Sequence, residues 1–168
     1  VRVYMGSGSQ AVRFAWPPSG DRPKNFKLAL EWLSSLIGIP LGSGIPPLAS
    51  KDGGVDVVVW KPFRDYMSAF AVMYVQSTVQ KNWYTKGRDI IPAVWLSRID
   101  TGAAALTALA IPFVISRNDD KWDDLRRTVS VVLDRLRLTQ MLSDSNPTAF
   151  SAMVKWNKKE ISKYSLDL

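Results

Sequence analysis

The chain is 168 residues long, 46% apolar and 22% charged, which is the size and makeup of a single globular domain able to bury its own core. It has no cysteine and no histidine, so Cys/His zinc sites, thiol nucleophiles, disulfides and histidine-based triads are excluded together. Its 22 Lys and Arg against 15 Asp and Glu leave a net charge of +7, a surplus that favours polyanionic partners.

The lack of thiols suits a reducing compartment, and a cytoplasmic location is expected. The longest nearly apolar run, 103–115, is too short to span a bilayer, so no membrane partner is expected. The chain starts at Val1 with no charged leader and long apolar run, and is read as a piece of a longer polypeptide. Residues 1–24 read as an extended lead-in, the end of a preceding region. Within them MGSGSQ is flexible, AVRFAW alternates enough for a short strand, and Pro17, Pro18, Gly20 and Pro23 stop regular structure.

Residues 25–168 read as one α/β domain. Asn25 is placed to cap a helix over 26–37, with Phe26, Leu30, Leu33 and Ile37 in one apolar stripe and Gly38 at its end. Residues 38–54 are rich in Gly, Pro and Ser and read as a loop closed by Asp52-Gly53-Gly54, where Asp52 is a turn residue or an auxiliary metal ligand. A strand is expected over 55–60, with Asp56, Val58 and Trp60 on one face, and another over 70–77, with Phe70, Val72, Tyr74 and Gln76 sharing a face that continues to Thr78. A helical region near 83–99, interrupted by Gly87 and Pro92, leads to a strand over 106–115, in which Pro112 argues for an edge or bulge. Such a helical crossover would make strands 70–77 and 106–115 parallel neighbours, while 55–60 and 70–77 pair antiparallel. Asp119 or Asp120 caps a helix over 121–143, with the β-branched run 129–132 as the place where it would break in two. A last helix begins near Thr148, and Lys155, Lys158, Lys159 and Lys163 form its basic side. That side is either solvated or tracks phosphates.

An acid among so many β-branched residues is costly to bury unless it is paired or holds a metal. GGVDVVVW followed by YVQST, with Asp56 and Gln76 on adjoining strands, resembles the core of the PD-(D/E)xK, or restriction-endonuclease-like, nucleases, closest to their Mrr-like D…QxK branch. The resemblance spans roughly residues 25–115. It implies an αβββαβ core, a mixed sheet flanked by helices, and a hard divalent ion, Mg²⁺ or Mn²⁺, bound through oxygen. It assigns Asp56 and Gln76 both catalytic and metal-holding roles, and Glu31 of the first helix a metal-holding one. Thr78 stands where that branch has its lysine. Lys61 and Lys81 are the nearest replacements, and Lys81 is preferred because a bulge near Val79 and Gln80 would restore its direction. Lys81, Lys86 and Arg88 lie just past the strand and are expected to meet substrate phosphates.

The function expected from this resemblance is a metal-dependent nuclease acting on nucleic acid, DNA first, as an effector of bacterial antiviral defence or restriction. The alternatives are a degenerate module that binds nucleic acid or a protein partner, a second copy included, and an interaction domain whose charge is incidental. No P-loop signature occurs, and the serines have no histidine base.

Overall fold

The computed structural model describes residues 1–47, 50–65, 67–116 and 118–145, and beyond these positions 148, 151, 152, 154, 155 and 158. The basic helix expected after Thr148, with Lys159 and Lys163, falls largely outside the described residues. In chain order the elements are α1 (Arg2–Met5), β1 (Gln10–Arg13), α2 (Phe26–Ile37), β2 (Val57–Lys61), β3 (Ala71–Ser77), a 3₁₀ turn (Trp83–Arg88), α3 (Pro92–Arg98), β4 (Leu106–Ala110), α4 (Asp120–Thr128), β5 (Val131–Leu133) and α5 (Arg135–Ser145). No helix among the described residues is long and apolar enough to cross a membrane.

The five strands form one sheet in the order β1-β2-β3-β4-β5. The first three make an antiparallel meander, in which Val12 pairs with Val58 and Val58 with Tyr74. β4 and β5 then add in parallel, Tyr74 opposite Thr107 and Leu109 opposite Val132. Both junctions expected from the sequence are present: β2 and β3 antiparallel, β3 and β4 parallel across a helical crossover.

One face of the sheet lies under α2 and α3, where Leu30, Leu33, Val58, Tyr74 and Trp95 pack together, and continues under α4 through Leu109, Leu125 and Val132. The opposite face, with Val59, Met73, Val75 and Leu133, is covered by Met5 of α1 and by Leu138 and Met141 of α5. Trp95 centres the first layer. Its ring lies edge-on to Phe14 and Phe26, and its Nε1–H donates to the Gly53 carbonyl at 3.1 Å. At the start of α2, Asn25 accepts from the Leu28 N–H at 3.1 Å, and Gly38 ends the helix at φ 70°.

Several boundaries differ from the sequence reading. The expected strand 55–60 begins at Val57, because the Asp56 carbonyl accepts from both Phe14 (2.7 Å) and Ala15 (3.0 Å), two residues against one, and the ladder is bulged there. The strand expected over 106–115 stops at Ala110. One more bond, Ile111 N–H to the Leu133 carbonyl, precedes Pro112, which has no N–H to continue it. The helical region 83–99 is two pieces, since Ile91 before Pro92 is held extended at φ −98°, ψ 106°. The run 129–132 does more than break a helix. Val131, Val132 and Leu133 are all buried and form the fifth strand, as suits a parallel strand covered on both faces. The order also departs from αβββαβ: β1 precedes α2, and only β2 and β3 stand between α2 and the crossover.

Candidate functional site

Where β2 enters the sheet, Asp56 replaces a backbone acceptor with its side chain. Its N–H donates to the Val75 carbonyl at 2.8 Å, and its Oδ2 accepts the Ser77 N–H at 2.6 Å. Val57 pairs with Val75 and the Asp56 N–H bonds the same residue, so both oppose Val75 and Gln76 follows one place on along β3. Gln76 extends the Val72 and Tyr74 row, so it stands on the helix-covered face at the end of β3. Its Oε1 is buried and has no hydrogen-bond partner. A buried carbonyl without a donor costs about 1–3 kcal/mol, so a ligand there has something to satisfy.

The loop before Asp56 is hydrogen-bonded on two sides. Asp52 Oδ2 accepts the Trp16 N–H and Oδ1 the Gly54 N–H, both at 3.0 Å, which makes it a turn residue that also anchors the N-terminal segment. Gly54 has φ +81°, and a Cβ there would lie 2.6 Å from the Asp89 carbonyl oxygen. The turn therefore seats directly on the backbone of Asp89. Two further acids thus act on Asp56. Burial pushes its carboxyl above the ordinary aspartate value and Asp52 and Asp89 push the same way, while the Ser77 N–H and Arg13 pull it back.

Around this pair the cations are unevenly committed. Lys86 Nζ is 3.1 Å from Asp89 Oδ2, and Arg88 reaches Asp124 at 2.9 and 3.2 Å. Arg13 donates to the Ala15 and Pro17 carbonyls and to Ser19 Oγ. Lys61 ends β2 opposite Ala71, the far end of the strand from Asp56 and roughly 16 Å away at about 3.3 Å per residue. Lys81 is exposed in the turn that follows β3. Thr78, at the lysine position of the motif, is buried. Its N–H donates to the Ala110 carbonyl, and its Oγ1 accepts the Gln80 N–H at 3.2 Å. Glu31 lies half-buried on α2 and is not among the charges that shift Asp56.

The structure sets Asp56 and Gln76 on neighbouring strands, and Asp89, which pairs with Lys86, is among the acids that act on Asp56. Sequence reasoning passed over Asp89. The signal available was its spacing, since Lys86 and Asp89 are three apart in a helical turn and meet there. Among the described residues no three Asp or Glu side chains come close enough to share a metal ion. What remains is one carboxylate and one unpartnered amide oxygen on neighbouring strands.

No family model, curated protein or solved structure matches the chain.

Proposed function

We propose that the chain is a divalent-metal-dependent nuclease of the restriction-endonuclease-like type. The observation that carries this reading is a half-buried Asp56 carboxylate at the entry to β2 and a buried, unpartnered Gln76 Oε1 at the end of the neighbouring β3. The antiparallel β2–β3 pair followed by a helical crossover to parallel β4 supports the same assignment.

In this reading Asp56 and Gln76 hold Mg²⁺ or Mn²⁺, with Glu31 as the further acid from α2. The ion supplies charge neutralisation at the phosphate and a more acidic water. Asp56 contributes a negative charge fixed in direction by the Ser77 N–H. Gln76 adds an oxygen without charge, so the substrate phosphate completes the cage and metal affinity without substrate is low. Lys81 is the cation for the scissile phosphate, and Lys86 and Arg88 hold the flanking backbone after exchanging Asp89 and Asp124 for phosphates. DNA in the cytoplasm, met as an effector of antiviral defence, is the substrate this reading favours.

Incubation of supercoiled plasmid and of single-stranded RNA with Mg²⁺ or Mn²⁺ tests it. Metal-dependent nicking that Asp56→Asn abolishes supports the nuclease, whereas no cleavage of either polymer with either metal ends it. The degenerate-module reading has one observation in its favour. Thr78 is buried and fills the lysine position with a local hydroxyl hydrogen bond. It predicts salt-sensitive nucleic-acid binding without cleavage.

A further inference from the structure

A second site lies at the far edge of the sheet. Beside β5, the last strand, a cavity of about 610 Å³ opens between α4 and α5, inside the range of roughly 300–1,000 Å³ usual for small-ligand sites. Val131, Val132 and Leu133 line it together with Trp122 and Arg126 of α4, Arg137 of α5 and Tyr4 of α1. Among the described residues that line it none is acidic.

Arg137 is held in place: Nη1 donates to the Val132 carbonyl at 2.7 Å, and Cζ stands 4.6 Å from the centre of the Trp122 ring. Arg126 is held loosely, since its partner Asp123 and its own side chain are 63% and 57% exposed, and such a pair is exchanged at little cost. Two guanidinium groups over an apolar floor, without an acid in the wall, suit an anion, and their forks match phosphate. A peptide strand added to β5 fits less well, because the carbonyl of Val132, on the side of β5 away from β4, is already taken by Arg137. Trp122, with Arg137 over one face, and Tyr4 supply the aromatic surface of the wall.

We propose that this cavity binds a nucleobase bearing a phosphate, with the ring against Trp122 and Tyr4 and the phosphate on Arg126 and Arg137. The inference does not rest on the nuclease reading, since Asp56 and Gln76 are not among the lining residues. A free nucleotide and the end of a single strand present the same chemistry.

Calorimetric titration of the full chain with adenosine monophosphate, adenosine, inorganic phosphate and a 5′-phosphorylated tetradeoxyadenylate tests the assignment. The monophosphate should bind at least about tenfold more tightly than either of its halves, and Arg126→Gln and Arg137→Lys should each weaken it by about tenfold. Arg126 is exposed, so its variant decides the matter if the Arg137 variant folds poorly. Tighter binding of the tetranucleotide, weakened by the same variants, assigns the site to strand ends, and the reverse order assigns it to free nucleotides. Monophosphate binding no tighter than its halves, binding unchanged by Arg126→Gln, or capture of oligoglutamate in place of the nucleotide would overturn the proposal.

Discussion

Replacing Gly54 with alanine separates two costs that the structure superimposes. The backbone there has φ +81°, where an L side chain is strained by about 1–2 kcal/mol. A new Cβ would also stand 2.6 Å from the Asp89 carbonyl oxygen and 2.9 Å from its carbon, and neither is a flexible side-chain tip. Overpacking of this kind costs about 1–3 kcal/mol, so Gly54→Ala should lose about 2–5 kcal/mol in all. Gly102 supplies the control, with φ +73° and nothing within 4 Å of where an alanine methyl would stand, so Gly102→Ala should lose only the backbone part. Urea unfolding of both variants, with unchanged dependence on denaturant, gives the difference directly. Equal losses would refute the claim that the Asp52-Gly53-Gly54 turn is wedged against Asp89, and with it the account of why Asp89 acts on Asp56.

Asp56→Asn should leave stability at neutral pH unchanged or raised. The folded carboxyl titrates above its unfolded value, so wild-type Asp56 favours folding below the ordinary aspartate pKa and loses that contribution as pH rises through the folded one. The variant's relative advantage should therefore shrink on acidification, and thermal melts at pH 3 to 7 that show the opposite trend would contradict the shift. Asn25→Ala removes the acceptor for the Leu28 N–H at the start of α2 and should cost about 1 kcal/mol by chemical denaturation. Trp95→Phe keeps an aromatic ring but strands the Gly53 carbonyl, and a loss of about 1–3 kcal/mol is expected in the same assay.

The parts of the fold legible in the sequence were those with a single strong period or cap. The α2 stripe of Phe26, Leu30, Leu33 and Ile37 lies in the core as its spacing requires, and Asn25 and Gly38 bound it. The alternation in 70–77 placed Gln76 on the Tyr74 face, and the structure keeps it there. β5 was hidden because Val131, Val132 and Leu133 are buried on both faces and have no alternation to show. Their neighbours Leu125 and Leu136 continue a helical spacing across the break. The partners of the site were less legible still. Asp89 reaches the Asp56 region through a backbone contact with Gly54, 35 residues away in sequence, and only packing reveals it.

The placement of β1 limits where the chain can be divided. Gln10–Arg13 supplies the outer neighbour of β2, and Phe14 just beyond it is fully buried. Arg22, also buried, donates to the Lys51 carbonyl at 2.6 Å and stands 4.4 Å over the Phe14 ring, so the segment is fastened at both ends. Excision ahead of Asn25, the boundary that composition suggests, would bare the edge of Val57–Lys61 and leave Asp52 without the Trp16 N–H. An uncovered edge of Val-Val-Val-Trp invites pairing with other chains. The first two dozen residues are therefore not a tether that can be exchanged between proteins. Recombination, limited proteolysis or gene fusion that separates them from the rest would remove a strand of the sheet and the Trp16 N–H from Asp52.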